Sequence, residues 1–101
     1  MERTIVTTLR GSVVEEDVEL TIVELGRACD ASEEQIELWV LEGVLEPSGP
    51  SRQEWRFGGG SLARVRLASR LARDLELNAS GVALAIDLLD RISSLESRLG
   101  R

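Results

Sequence analysis

The chain has no histidine, no lysine and no tyrosine, and its 101 residues include one cysteine and two prolines. Each absence closes a route. Without His there is no imidazole base and the commonest metal ligand is missing, and one thiol cannot build a zinc site alone. The single Cys29 cannot close an internal disulfide, so the framework of a secreted small domain is excluded and a cytoplasmic location is expected. Cys29 itself reads as a small buried hydrophobe, because Arg27 is the one basic group beside it. No apolar run approaches the ~20 residues that span a bilayer, and the opening Met1 to Arg10 has no long apolar core, so neither export nor membrane insertion is expected.

What is present is an ordinary soluble composition, 43% hydrophobic and 30% charged, which predicts one small folded domain rather than disorder. A net charge of −6 argues against a nucleic-acid partner and leaves protein partners open. Catalysis is not expected. With no His, a thiol beside no base and carboxylates on exposed faces, no set of nucleophile, base and oxyanion donor assembles; no catalytic residue, metal site or cofactor is assigned. Gly58-Gly59-Gly60 lacks a following Lys-Ser/Thr and reads as a hinge or tight corner, not a phosphate cradle.

The organising stretch runs from Ser32 to Pro47. Before it, Thr4 to Leu9 suits a short strand, Gly11-Ser12 a turn, and Val13 to Glu19 either a second strand or a loop. Thr21 with Glu24 forms a capping box that starts a first helix over Ile22 to Cys29, and Ser32 with Gln35 forms another. In the second helix Ile36, Trp39 and Val40 have the spacing of a buried stripe, while Glu33, Glu34, Glu37 and Leu41 cluster on a different, wet face. The helix dipole accounts for Glu33 and Glu34 but does not reach Glu37 or Glu42. Gly43 stops the helix.

Val44-Leu45 and Glu54 to Phe57, joined across Ser48-Gly49-Pro50-Ser51, read as a two-stranded wing with Trp55 and Phe57 on one side. Ser61 is expected to cap a third helix to about Leu75, with Arg66, Arg70 and Arg73 on an outer basic face that balances the acidic helix, within the molecule or across a dimer. In a fourth helix Ala85, Leu88, Ile92, Leu95 and Leu99 alternate steps of three and four, the seam of a coiled coil, and Val82, Ile86 and Leu89 make a second apolar line. Two lines need two surfaces, the chain's own core and a partner helix, which predicts an antiparallel homodimer.

The sequence Ile36-Glu37-Leu38-Trp39, then Glu42 to Pro47, then Trp55-Arg56-Phe57 and two further helices resembles the MerR-type winged helix-turn-helix over Val18 to Leu99. The fold class is therefore mainly α, with a short two-stranded wing and a long C-terminal helix. The division is an N-terminal segment 1–17, a winged helix-turn-helix domain 18–77, and a dimerisation helix 78–101. Within that superfamily the chain is most similar to the CbpM-type chaperone modulators. The resemblance implies binding to the J-domain of a DnaJ/CbpA-like co-chaperone and restraint of its action on a DnaK-type chaperone. A J-domain meets that chaperone largely through a basic helix, so Glu33, Glu34, Glu37 and Leu41, with Trp55 as an apolar anchor, are the partner-binding residues this implies. MerR-type regulators have Leu-Arg-Tyr-Tyr where this chain has Ile36 to Trp39, so Glu37 stands in place of a DNA-facing Arg. Arg52 and Arg56 keep a MerR-family DNA-binding transcriptional regulator as the alternative.

Overall fold

A computed structural model describes residues 6–9, 12–15 and 18–100, the first two stretches by their backbone alone. Strand β1 (Val6–Leu9) pairs antiparallel with β2 (Ser12–Glu15), Val6 opposite Glu15 and Leu9 opposite Ser12. The expected strand from Thr4 and turn at Gly11 fall partly outside the described residues: Thr4, Ile5 and Gly11 are not among them.

Strand β3 (Glu19–Leu20) leads into α1 (Ile22–Cys29) through a complete capping box. The Thr21 hydroxyl accepts from the Glu24 N–H at 3.1 Å, and the Thr21 N–H donates to the Glu24 carboxylate at 2.9 Å. Two of the four orphan donors at the helix start are thereby satisfied. Asp30 closes α1 in the left-handed conformation at φ 57°, which a short polar side chain tolerates, and the chain turns at once into α2 (Glu33–Leu41). The Ser32 hydroxyl accepts from the Gln35 N–H at 3.0 Å. After α2, Gly43 at φ 84° takes the conformation that glycine adopts freely, and the Val44 and Leu45 amides both donate to the Trp39 carbonyl, at 2.8 and 3.3 Å.

The wing differs from the expected hairpin. Val44 and Leu45 do not pair with Glu54 to Phe57; they are buried beneath the wing. The arm closes on one bridge between Ser48 and Arg56, with a 3₁₀ turn at Arg52–Glu54, and strand β4 (Phe57–Gly58) pairs antiparallel with β3, Leu20 opposite Phe57. The reason is local: Pro47 and Pro50 flank the bridging Ser48 and have no N–H to donate, so the pairing does not extend along the arm. Phe57 is instead drawn to the foot of α1 and fully buried.

Helix α3 (Ser61–Asp74) starts without a side-chain cap. Gly60 holds the N-cap position and Ser61 is the first helical residue, so the expected Ser61 cap does not form. Helix α4 (Ala79–Arg98) is capped by Asn78, whose side chain accepts from the Gly81 N–H at 2.8 Å. Helix α3 packs on α1 and α4, and α2 touches both α1 and α4. Between them lie Leu25, Ile36, Phe57, Val65, Ala68 and Val82, all fully buried, together with Trp39, Leu62 and Ile86. Each large aliphatic or aromatic side chain so buried contributes about 1.5–3 kcal/mol. The first two turns of α4 belong to this core through Val82 and Ile86, whereas every residue from Asp87 to Gly100 is exposed.

Candidate interaction face on the second helix

Helix α2 sits in the molecule by one side. Ile36 and Trp39 are buried against α1, α4 and the wing base, and that anchorage fixes which side chains face water. On the outer side Glu34 is 82% exposed and Leu41 74% exposed, with Glu33 and Glu37 along one flank and Leu38, 38% exposed, along the other. The helix holds no Lys or Arg. It therefore presents three carboxylates flanking a small apolar centre.

Those carboxylates are not free. The guanidinium of Arg52, on the 3₁₀ turn of the wing, lies 3.0 Å from Glu37, 3.4 Å from Glu33 and 3.9 Å from Glu34. The turn that aims it is held by the Ser51 hydroxyl, which donates to Glu54 at 2.9 Å, and by the Glu54 N–H, which donates to the Ser51 carbonyl. Of the two ways expected for the acidic face to be balanced, within the molecule or across a dimer, the one seen within the chain uses this wing arginine. Arg66 donates to the Ala28 carbonyl at 3.1 Å and Arg73 pairs with Asp74 at 3.2 Å, while the balancing cation comes from the wing. Beside Arg52 a cavity of about 560 Å³ opens between the start of α1 and the wing, lined by Ile22, Val23, Glu33, Arg52 and Gln53 with Thr21.

Of the residues singled out from the sequence, Glu33, Glu34, Glu37 and Leu41 share the outer side of α2. Trp55 is half-buried and packs its ring edge-on to Phe57, centroids 6.1 Å apart at 83°, so part of its surface is committed to the core. Two members of the face, Leu38 and Arg52, are not among the residues named for it from the sequence. Leu38 follows Glu34 by four residues and precedes Leu41 by three, so helical arithmetic alone places it there. Arg52 has no such signal, because only the folded wing brings it to α2.

A second apolar surface runs down α4. Leu88, Ile92, Leu95 and Leu99 are 49%, 51%, 56% and 72% exposed, and Leu84 joins them at 60%. Ala85 is half-buried. In the other line Val82 and Ile86 are in the core, and Leu89 is 45% exposed.

Cys29 is half-buried, with Sγ 3.9 Å from the Leu62 carbonyl oxygen. Burial raises the thiol above its ordinary pKa, and the Arg66 cation opposes this in part, so the sulfur is held protonated and weakly nucleophilic. Among the described residues no three His, Cys, Asp or Glu side chains form a group that could hold a metal ion. No helix among them is long and apolar enough to cross a membrane.

A helix-turn-helix followed by a wing and two helices is the architecture of the MerR class, and residues 20–101 match the family model of the MerR HTH family regulatory proteins. Within that class the chain is similar to the chaperone modulatory protein CbpM of Coxiella burnetii (strain Dugway 5J108-111), 40% identical over 91 residues that cover 90% of this chain and 86% of that protein. It is 35% identical to the CbpM of Pseudomonas putida (strain W619) over 91 residues, 83% of this chain and 90% of that protein. The match to the CbpM of Pseudomonas entomophila (strain L48) is 39% over 74 residues, 62% of this chain and 73% of that protein. The chain belongs to the CbpM family of chaperone modulatory proteins.

Proposed function

We propose that the protein is a chaperone modulator that binds the J-domain of a DnaJ/CbpA-like co-chaperone through the outer side of α2 and so restrains its action on the DnaK-type chaperone in the cytoplasm. The observation that carries this reading is the composition of that side: Glu33, Glu34 and Glu37 around Leu38 and Leu41, on a helix without a single basic residue. A phosphate backbone is repelled by such a helix, whereas a basic helix is attracted. Exposed ion pairs contribute only ~0–1 kcal/mol each. The carboxylates therefore supply encounter rate and orientation, and Leu38 and Leu41, with the accessible edge of Trp55, supply the desolvated centre.

Occupying the basic helix of the J-domain would keep it from the DnaK-type partner. The exposed apolar line of α4, from Leu84 through Leu88, Ile92 and Leu95 to Leu99, is read as the seam of an antiparallel homodimer that leaves α2 free on each protomer.

Titration calorimetry of the purified J-domain against the native protein, Glu34→Arg and Leu41→Ala tests this. Charge reversal at the most exposed carboxylate is expected to weaken binding about three- to tenfold, and Leu41→Ala by about fivefold or more, with melting temperatures unchanged. Native affinity retained by both variants sinks the α2 mechanism. The DNA-binding alternative is checked by a mobility shift at low salt with the protein's own promoter region, where retarded DNA would favour the regulator instead.

A further inference from the structure

The arrangement around Arg52 adds a regulatory element to the face just described. One guanidinium reaches three carboxylates, at 3.0, 3.4 and 3.9 Å, from a separate arm of the chain. It is one-third exposed and the carboxylates are 36%, 46% and 82% exposed, so the contact lies at the surface, where an outside cation can reach the same oxygens. Arginine is the residue whose planar fork best matches carboxylates, and it therefore occupies the position that an arginine of a basic partner helix would take.

We infer that Arg52 is a built-in competitor for the partner's cation: it fills the acidic face in the free protein and must swing off Glu33 and Glu37 for a basic amphipathic helix to dock. This rests on the reading of α2 as the J-domain surface. Three structural facts support it. Arg52 hydrogen-bonds the face through Glu33, at 3.4 Å, and its other contacts there are ion pairs to partly exposed carboxylates, which an outside cation can replace. It stands on a short 3₁₀ turn in an arm closed by one bridge, not on a strand of a regular hairpin. It also forms one wall of the cavity over Ile22 and Val23, where Val23 is 41% exposed. A partner cation seated on Glu33 brings the apolar side of its own helix over that cavity. A more acidic face gains nothing for a cell if it binds every basic helix, and an internal guanidinium raises the threshold so that charge alone is insufficient.

The test is the affinity of the native protein, Arg52→Gln and Arg73→Gln for the purified J-domain of the DnaJ/CbpA-like co-chaperone, by titration at two salt concentrations. Arg73 pairs with its neighbour Asp74, so its replacement changes net charge equally without touching α2. Arg52→Gln is expected to tighten binding about three- to fivefold and to steepen its salt dependence, while Arg73→Gln changes it less than about 1.5-fold. Thermal melts of both variants verify that they fold. Native binding that is unchanged or weakened by Arg52→Gln overturns the competitor role and leaves the α2 surface standing. An equal gain in Arg73→Gln also overturns it, since net charge would then suffice. Failure of all three proteins to bind overturns both the competitor role and the α2 reading.

Discussion

Arg64 and Val44 are joined by a 2.8 Å hydrogen bond from Nε to the Val44 carbonyl, and the same guanidinium reaches Asp90 at 3.3 Å. One side chain on α3 thereby fastens the segment after α2 to the outer turns of α4. The bond to a half-buried carbonyl is charge-assisted, and its loss leaves that oxygen poorly solvated. Arg64→Ala is expected to cost about 1–2 kcal/mol of folding stability, read from the midpoint of urea unfolding. Asp90→Ala removes only the exposed pair and is expected to cost less than about 0.5 kcal/mol. Equal losses from the two variants would show that the ion pair, not the carbonyl, holds the segment.

Gly26 is buried in α1 where the chain doubles back into α2, and a Cβ there would sit 2.7 Å from the Ala31 carbonyl oxygen. The turn cannot yield easily, because the Ala31 N–H donates to the Gly26 carbonyl at 2.9 Å. Gly26→Ala is therefore expected to destabilise the fold by about 1–3 kcal/mol, although alanine is the better helix former. A chemical-denaturation midpoint at or above the native value would mean that the angle between α1 and α2 is free to open.

The parts of this molecule legible from the sequence are the ones fixed by neighbours a few residues apart. The capping box of Thr21 and Glu24, the Ser32 cap, the stop at Gly43 and the buried pair Ile36 and Trp39 all depend on contacts within one helical turn. The partner of Phe57 was not legible. Its strand pairs with Leu20, across the whole helix-turn-helix, and an equally apolar Val44-Leu45 lay nearer in sequence. Arg52 was hidden for the same reason: its register on α2 is set by a short 3₁₀ turn that follows Pro50, which leaves no periodic pattern. At the third helix the serine signal misled, because Gly60 took the capping position one residue earlier.

The absence of lysine and tyrosine makes Cys29 measurable in isolation. Its thiol is raised by burial, with Arg66 opposing, so the folded state holds this proton more tightly than the unfolded chain does. The stabilising contribution is present below the thiol's unfolded pKa and is lost as pH rises through the higher folded value. Thermal stability of the native protein is expected to fall as pH rises past about 9, the ordinary thiol value, and the slope should flatten in Cys29→Ala. The native thiol should also react more slowly with a disulfide reagent at pH 8 than the unfolded chain does. A superimposable pH profile for Cys29→Ala would show that the sulfur is no more protected in the fold than out of it.

The far end of α4 poses a question that its own domain does not answer. From Leu88 onward Ile92, Leu95 and Leu99 present a continuous apolar line, each about half exposed or more, on a stretch of helix in which every residue from Asp87 to Arg98 is exposed. An unsupported helical extension of that length is marginal in water, and most helical stability in proteins comes from packing an apolar face. A second copy supplies such a face by symmetry, because the same line meets itself under a two-fold axis. Two observables then move together. The native protein is expected to sediment as a dimer at micromolar concentration, and Ile92→Asp to sediment as a monomer with reduced far-ultraviolet helicity, since the freed turns fray. Affinity of the monomeric variant for the J-domain should stay within about twofold of native, because Ile92 lies on a different helix from Glu34 and Leu41. A native protein that sediments as a monomer while keeping its full helicity would overturn the dimer, since α4 would then hold its last turns without a partner helix.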